Sequence, residues 1–362
     1  MIVLGIESSC DETAVSIVED GHHVRSNIVS SQLAKHAPYG GVIPELAARE
    51  HLKSIGPVYE QALSEAQLTR DDIDAVSVTY NPGLLPALLV GLTFAKGLAA
   101  TLDKPFIGIS HFLAHVYGSF IGKQDILENS DSYPMIALVV SGGHTALILI
   151  NEDGSARIVG QTLDDAAGEA FDKAAKILNL PYPGGPVIDK MSKSGNAQAV
   201  HFPRGLCPSP GHNVKPENRL NFSFSGVKTA LLYHIKGNSD LSKEIVCPEF
   251  SESQLADIVA SYQEAIVDAL ITKTFRACND YDSKTVVVCG GVACNSRLRE
   301  KMASAAAAAG LELVIAEPKY CTDNAAMIAG LAYYYLKEGQ TSKFDLDAVP
   351  RLQAFKSVPF TR

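Results

Sequence analysis

Two histidines four residues apart, His111 and His115, are the first sign of metal chemistry. On a helix, residues at i and i+4 project from one face, so both imidazoles can share a cation. Two unrelated histidines near a helix start meet the same spacing. The stretch His111-Phe112-Leu113-Ala114-His115 is not the zinc-protease motif, which needs glutamate directly after the first histidine as general base. Phe112 stands there, so proteolysis is disfavoured. Two imidazoles leave a cation short of ligands. A carboxylate brought from elsewhere would complete a facial set and keep positions open for substrate. Asp323, in Cys321-Thr322-Asp323-Asn324, can supply it, although read alone it is explained as the N-cap of the last helix.

Other segments suit a phosphate or a nucleoside. The turns Glu7–Glu12 and Ser141–Thr145 are rich in small polar residues, and such turns aim successive backbone N–H groups at an anion. Val288-Cys289-Gly290-Gly291-Val292-Ala293-Cys294-Asn295 reads as a strand, a double glycine and a helix start. Its glycines would let a flat ring or ribose approach, while Asn295 caps the helix and bonds the ligand. An ordinary strand–helix turn explains it equally. Gly168–Lys173 and Pro183-Gly184-Gly185-Pro186 are further candidates, with Asp172 as a surface charge and the glycine pair as a plain turn for alternatives.

The elements that must position these groups show a repeat. Residues 3–29 and 136–162 share one layout: an apolar run, a small-residue turn, a β-branched run, an Asp-Gly turn and a third strand. Asp20-Gly21 and Asp153-Gly154 are strong hairpin signals. Elsewhere the pattern alternates in α/β fashion. Helices are expected over Pro44–Ala66, Pro82–Leu102, His111–Ile121, Asp165–Leu178, Ser253–Cys278, Asn295–Ala308 and Asp323–Leu336. Strands are expected over Ile73–Thr79, Phe106–Ile109, Thr285–Cys289 and Glu312–Ile315, and irregular loops over Pro181–Leu220. The Pro82–Leu102 helix is apolar enough to expect full burial.

Composition sets the bounds. A chain of 362 residues exceeds what one core usually organises, so two lobes are expected. Hydrophobic residues at 46% and charged residues at 20% exclude disorder. A net charge of −9 argues against coating nucleic acid through the overall field. The 7 cysteines are scattered singly, as expected of reduced thiols in a cytoplasmic protein. The start of the chain lacks the basic stretch of a secretory signal. The longest apolar stretch, Leu84–Ala95, falls short of the roughly 20 residues of a membrane span.

Taken together, the motifs resemble the TsaD (Gcp, YgjD) family, the tRNA adenosine threonylcarbamoyltransferases. The matching strings are Gly5–Thr13, Tyr39–Glu45, Val140–Thr145, Asp164–Lys173, Tyr182–Pro186, Phe222–Gly226, Gly290-Gly291-Val292 with Asn295, and Cys321–Asn324. The resemblance spans nearly the whole chain in family order. It implies an actin/hexokinase/Hsp70-like (ASKHA) α/β fold with duplicated ribonuclease-H-like cores and an inter-lobe cleft. The lobes are expected at residues 1–132 and 133–362, with the last helix free to pack back across them.

The resemblance further implies metal ligands at His111, His115 and Asp323, with one divalent ion, iron(II) ahead of zinc. It implies that Val139, Val140, Ser141, Gly142, Gly143, Asp172, Gly185, Asp189 and Asn295 hold threonylcarbamoyl-AMP, and that Glu12 is an acidic residue needed for activity. The reaction implied is transfer of threonylcarbamoyl to the exocyclic amine of the tRNA adenosine 3′-adjacent to the anticodon. Implied partners are an inactive TsaB-like paralogue and a TsaE-like P-loop ATPase, with no membrane. An actin-like small-molecule kinase or carbamoyltransferase, and a non-catalytic nucleotide-binding partner, are the rival readings. The chain departs from the family pattern at Asn81 in Asn81-Pro82-Gly83-Leu84, at Ser110 and Leu113, and in the longer Arg204–Leu220 segment. Lys190, Lys193, Arg204, Lys215 and Arg219 are the expected local tRNA patch.

Overall fold

The computed structural model describes residues 1–208, 214–236 and 248–361; Cys247 and part of the Arg204–Leu220 segment lie outside them. Strands β1 (Ile2–Glu7), β2 (Glu12–Glu19), β3 (His23–Ser31), β4 (Ala75–Asn81) and β5 (Phe106–Ser110) form one sheet in the order β3-β2-β1-β4-β5. Strands β6 (Met135–Val140), β7 (Thr145–Ile150), β8 (Ala156–Gln161), β9 (Thr285–Cys289) and β10 (Glu312–Ile315) form another, ordered β10-β9-β6-β7-β8. The plan is the same. A central strand has an antiparallel hairpin on one side and parallel strands on the other. The central strands are continuous apolar runs because both faces of each are covered. At the Asp20-Gly21 turn both residues take the left-handed backbone a tight hairpin needs, with φ of 50° and 80°.

The helices are α1 (Leu33–His36), α2 (Pro44–Ala66), α3 (Leu85–Leu102), α4 (His111–Gly118), α5 (Gln124–Glu128), α6 (Ala167–Ile177), α7 (Gly184–Ser192), α8 (Ser225–Lys236), α9 (Glu252–Asp280), α10 (Ser296–Ala309), α11 (Pro318–Cys321) and α12 (Ala326–Lys337). Helix α3 packs on β4 and α2 but is not wholly buried, contrary to expectation. It sinks Leu88, Leu92, Ala95 and Ala99, while Leu85 and Leu89 stay exposed beside Leu52 of α2. Apolar content predicted burial, but it does not say which residues of α3 meet a neighbour. Among the described residues it is the one helix long and apolar enough to cross a membrane.

The chain packs as two compact units. One comprises Met1–Ser130, Asn151–Ala156 and everything from Ala316 onward; the other comprises Asp131–Ile150 and Arg157–Ile315. The final segment, its last helix expected to be free to pack back across the lobes, packs with the first unit. Helix α12 lies against β1, β2, β4 and α4, and seven of its residues in succession, Ala326–Ala332, are buried. The close approach depends on Gly5. A Cβ there would sit 2.5 Å from the Ala325 carbonyl oxygen and 2.9 Å from the Ala329 Cβ.

Candidate functional site

Strand β5 delivers the chain into α4, whose first residue is His111, and every residue of this short helix is buried. The two imidazoles meet edge to face at 4.5 Å between centroids, with their Nε2 atoms 3.1 Å apart. Asp323 arrives from the break between α11 and α12. It is not the N-cap of the last helix, which starts at Ala326. Asn324 takes the capping work, accepting the Met327 N–H at 3.2 Å and donating to the Thr322 carbonyl at 2.8 Å. The Asp323 carboxylate thus turns to the histidines, with Oδ1 3.5 Å from His111 Nε2 and 3.2 Å from His115 Nε2. One ligand atom from each of the three lies within 4.8 Å of the others.

Glu7 supports this trio, and sequence reasoning missed it by treating Glu7 as the opening of an anion-binding turn. It ends β1, fully buried, with Oε2 2.9 Å from His111 Nδ1. Thr79 Oγ1 donates to the same oxygen at 2.5 Å, and the Ser9 N–H donates to Oε1 at 2.5 Å. A carboxylate on Nδ1 fixes the ring so that Nε2 offers its lone pair. Burial opposes charge on His111, yet the Asp323 and Glu7 carboxylates outweigh it and push its pKa up to about 9. Burial, then the neighbouring His111 charge, pushes His115 down. The surroundings thus favour one positive charge at the trio, and two imidazoles with one carboxylate are a donor set that fits a transition-metal dication.

The first small-residue turn is not an anion cradle. Ser8 and Ser9 are buried, and Ser8 Oγ is spent on the Ala87 carbonyl at 3.0 Å. Ser9 Oγ lies 3.2 Å from His111 Nδ1. The turn carries Asp11 and Glu12 toward the same trio. Burial, then Asp323 and Asp11, raises the Glu12 carboxyl to about 9. His51 pins the turn, with Nδ1 2.8 Å from Thr13 Oγ1 and Nε2 3.0 Å from the Cys10 carbonyl.

In the other unit the expected nucleotide residues form a connected ring. Val139 and Val140 end β6, paired with Ala146 and Thr145. In the turn that follows, the Ser141 N–H is taken by the His144 carbonyl at 2.8 Å, while Gly142 and Gly143 are exposed. The Gly168 N–H donates to the Ser141 carbonyl at 3.1 Å and brings α6 in. Asp172 on α6 accepts the Gly184 N–H at 2.7 Å, setting the start of α7 and Gly185. Asp189 on α7 accepts from Ser296 N–H at 3.1 Å and Oγ at 2.8 Å. Asn295 caps α10 through the Leu298 N–H at 2.9 Å and donates to Gln263 Oε1 at 2.7 Å. At Gly290, φ is 91° and a Cβ would lie 2.4 Å from the Val140 carbonyl oxygen. All of this gathers at the C-terminal ends of the parallel strands β6 and β9, where open α/β sheets bind ligands.

Two copies of this sheet plan define the actin-like ATPase fold class. Solved structures agree. An activator of 2-hydroxyisocaproyl-CoA dehydratase from Clostridium difficile matches with a TM-score of 0.50 at 16% identity, covering 94% of this chain and 97% of that one. HypF from T. kodakarensis matches with a TM-score of 0.57 at 15% identity, covering 93% and 48%. The family model "TsaD: tRNA N6-adenosine threonylcarbamoyltransferase" matches residues 23–330. Proteins named tRNA N6-adenosine threonylcarbamoyltransferase are similar along nearly the whole length. That of Geobacter sp. (strain M21) is 49% identical over 97% of this chain and 96% of its own. That of Thermosipho africanus is 46% identical over 98% and 100%. The chain belongs to the TsaD family of transferases.

Proposed function

We propose that this chain transfers the threonylcarbamoyl group of threonylcarbamoyl-AMP to the exocyclic amine of the adenosine 3′-adjacent to the anticodon in tRNA. The observation that carries the proposal is the convergence of His111, His115 and Asp323, backed by buried Glu7, in a chain of this family. A nucleotide-binding partner without catalysis needs neither the trio nor its support.

The donor is a mixed anhydride, and the acceptor amine is a poor nucleophile because its lone pair is delocalised into the ring. Iron(II), with zinc second, is the ion we assign to the trio; when bound, it supplies a Lewis acid for the donor and offsets the Asp323 charge. Glu12, with Asp11 second, is the carboxyl we assign to hold the proton leaving the amine. The Gly142 and Gly143 N–H groups steady the departing phosphate. Asp172, Asp189 and Asn295 set the walls around it. Of the five basic residues first considered for tRNA, Arg204 pairs with Asp268 and Arg219 with Asp280, which leaves Lys190, Lys193 and Lys215 for the phosphate backbone. The exposed apolar face of α2 and α3 suits a paralogue of similar fold, and a P-loop ATPase would complete a cytoplasmic assembly.

The test incubates the chain with unmodified tRNA, threonine, bicarbonate, ATP and the two partners, then analyses the digested nucleosides. Threonylcarbamoyladenosine is the expected product. His111→Ala should lose bound metal and activity together, and keeping both would refute the assignment. Normal single-turnover transfer by Glu12→Gln would remove Glu12 from the proton step.

A further inference from the structure

A second pocket of about 240 Å³ opens at the ends of β4 and β5. It is lined by Asn81, Ser110 and Leu113, together with Tyr80, Tyr335 and Phe355. Its rim is exposed and includes Gln340, Thr341, Gln353 and Ala354. No charged side chain lines it. Asn81 and Ser110 are register neighbours in the sheet, and Ser110 immediately precedes the ligand candidate His111.

Buried polar groups are ordinarily hydrogen-bonded. Asn81 is fully buried, yet neither its Oδ1 nor its Nδ2 has a hydrogen-bond partner, and Ser110 Oγ has none either. Burial pushes the Tyr80 hydroxyl up and the Asn81 amide beside it opposes that shift, so Tyr80 is the near neighbour of this amide. The lining therefore offers a carboxamide donor–acceptor pair, a hydroxyl and three aromatic rings. Without charge it does not select a phosphate, a carboxylate or an ammonium group. A pocket of about 240 Å³ is below the ~300–1,000 Å³ of sites for drug-sized ligands, so it suits one ring system rather than a nucleotide.

We propose that this pocket is a nucleobase subsite that takes an adenine, with the Asn81 carboxamide on its amine edge and Tyr80, Tyr335 or Phe355 against its face. Asparagine pairs with adenine through one donor and one acceptor, and aromatic side chains stack splayed-out bases. The choice of adenine rests on the proposed reaction. The base comes from a flipped tRNA nucleotide or from a free nucleoside.

The test titrates full-length, metal-loaded protein with adenosine, N6,N6-dimethyladenosine and uridine. Adenosine should bind, and loss of the N6–H donor should weaken binding at least about tenfold. Asn81→Leu should do the same while metal content stays at the wild-type level; if that variant does not fold, Ser110→Ala takes its place. Equal binding of the dimethylated nucleoside, or undiminished adenosine binding by the variant, would overturn the subsite and leave buried water as the pocket's content. Competition between adenosine and an anticodon stem-loop assigns the base to tRNA, and simultaneous binding assigns it to a free nucleoside. Adenosine binding through Asn81 in a protein that makes no threonylcarbamoyladenosine would remove the reaction and leave the subsite standing.

Discussion

Glu7 has no solvent contact, and its two oxygens are divided among His111, Thr79 and Ser9. Burial alone would raise its pKa, but the His111 charge and hydrogen bond outweigh burial and hold it down. Glu7→Gln keeps the shape but gives up one acceptor oxygen and the charge. Metal affinity, read by competition with a chelator, should fall by about 10–100-fold while all three ligand candidates remain in place. Spacing made the histidine pair and its need for a third donor legible, whereas the choice of Asp323 came from the family resemblance. Glu7 stayed hidden because its partner lies 104 positions away, and a glutamate closing a strand looks locally like the start of a turn. The capping reading of Asp323 failed for a similar reason. A short helix, α11, interposes a break that shifts the last helix start to Ala326 and hands the cap to Asn324.

Elements were easier to read than their contacts. Strands β9 and β10 match the expected bounds because each is a short apolar run closed by a breaker or a charge. The burial of α3 was overestimated, since an apolar helix does not reveal which faces find partners. Packing of α12 on β1 suggests a direct test. Gly5→Ala would press a methyl group against the Ala325 carbonyl and Ala329, costing about 1–3 kcal/mol in urea denaturation. The same variant should weaken metal binding, because Asp323 sits in the segment that leads into the displaced helix. A second test concerns α9 and α10. Glu264 accepts from Arg297 Nε at 2.8 Å and Nη2 at 3.0 Å, and from Lys301 Nζ at 2.6 Å. Arg297 first, against the opposition of burial, and then Lys301 lower its carboxyl from 4.5 to about 2. A folded value below the unfolded one contributes stability above the unfolded value, and that stability is lost as pH falls toward the folded value. Glu264→Gln should therefore cost on the order of 1 kcal/mol at neutral pH, allowing for solvent screening. The difference from the parent should vanish as pH drops from 4.5 toward 2.

At the scale of the molecule, the repeat seen in residues 3–29 and 136–162 is the seed of two sheets with one strand order. Its extension was not legible. The parallel strands of each sheet come from distant stretches, and nothing local says that the residues from Ala316 onward return to the first unit. Residues 1–130 expressed alone should lack cooperative unfolding by circular dichroism. Co-expression with residues 316–362 and the short 151–156 segment should restore it. Because Asp323 lies far downstream of both histidines, its carboxylate leaves the ribosome long after them. A nascent or prematurely terminated polypeptide can present the imidazole pair but not the completed trio. Translation itself thus keeps the centre unassembled until the stretch carrying Asp323 has emerged.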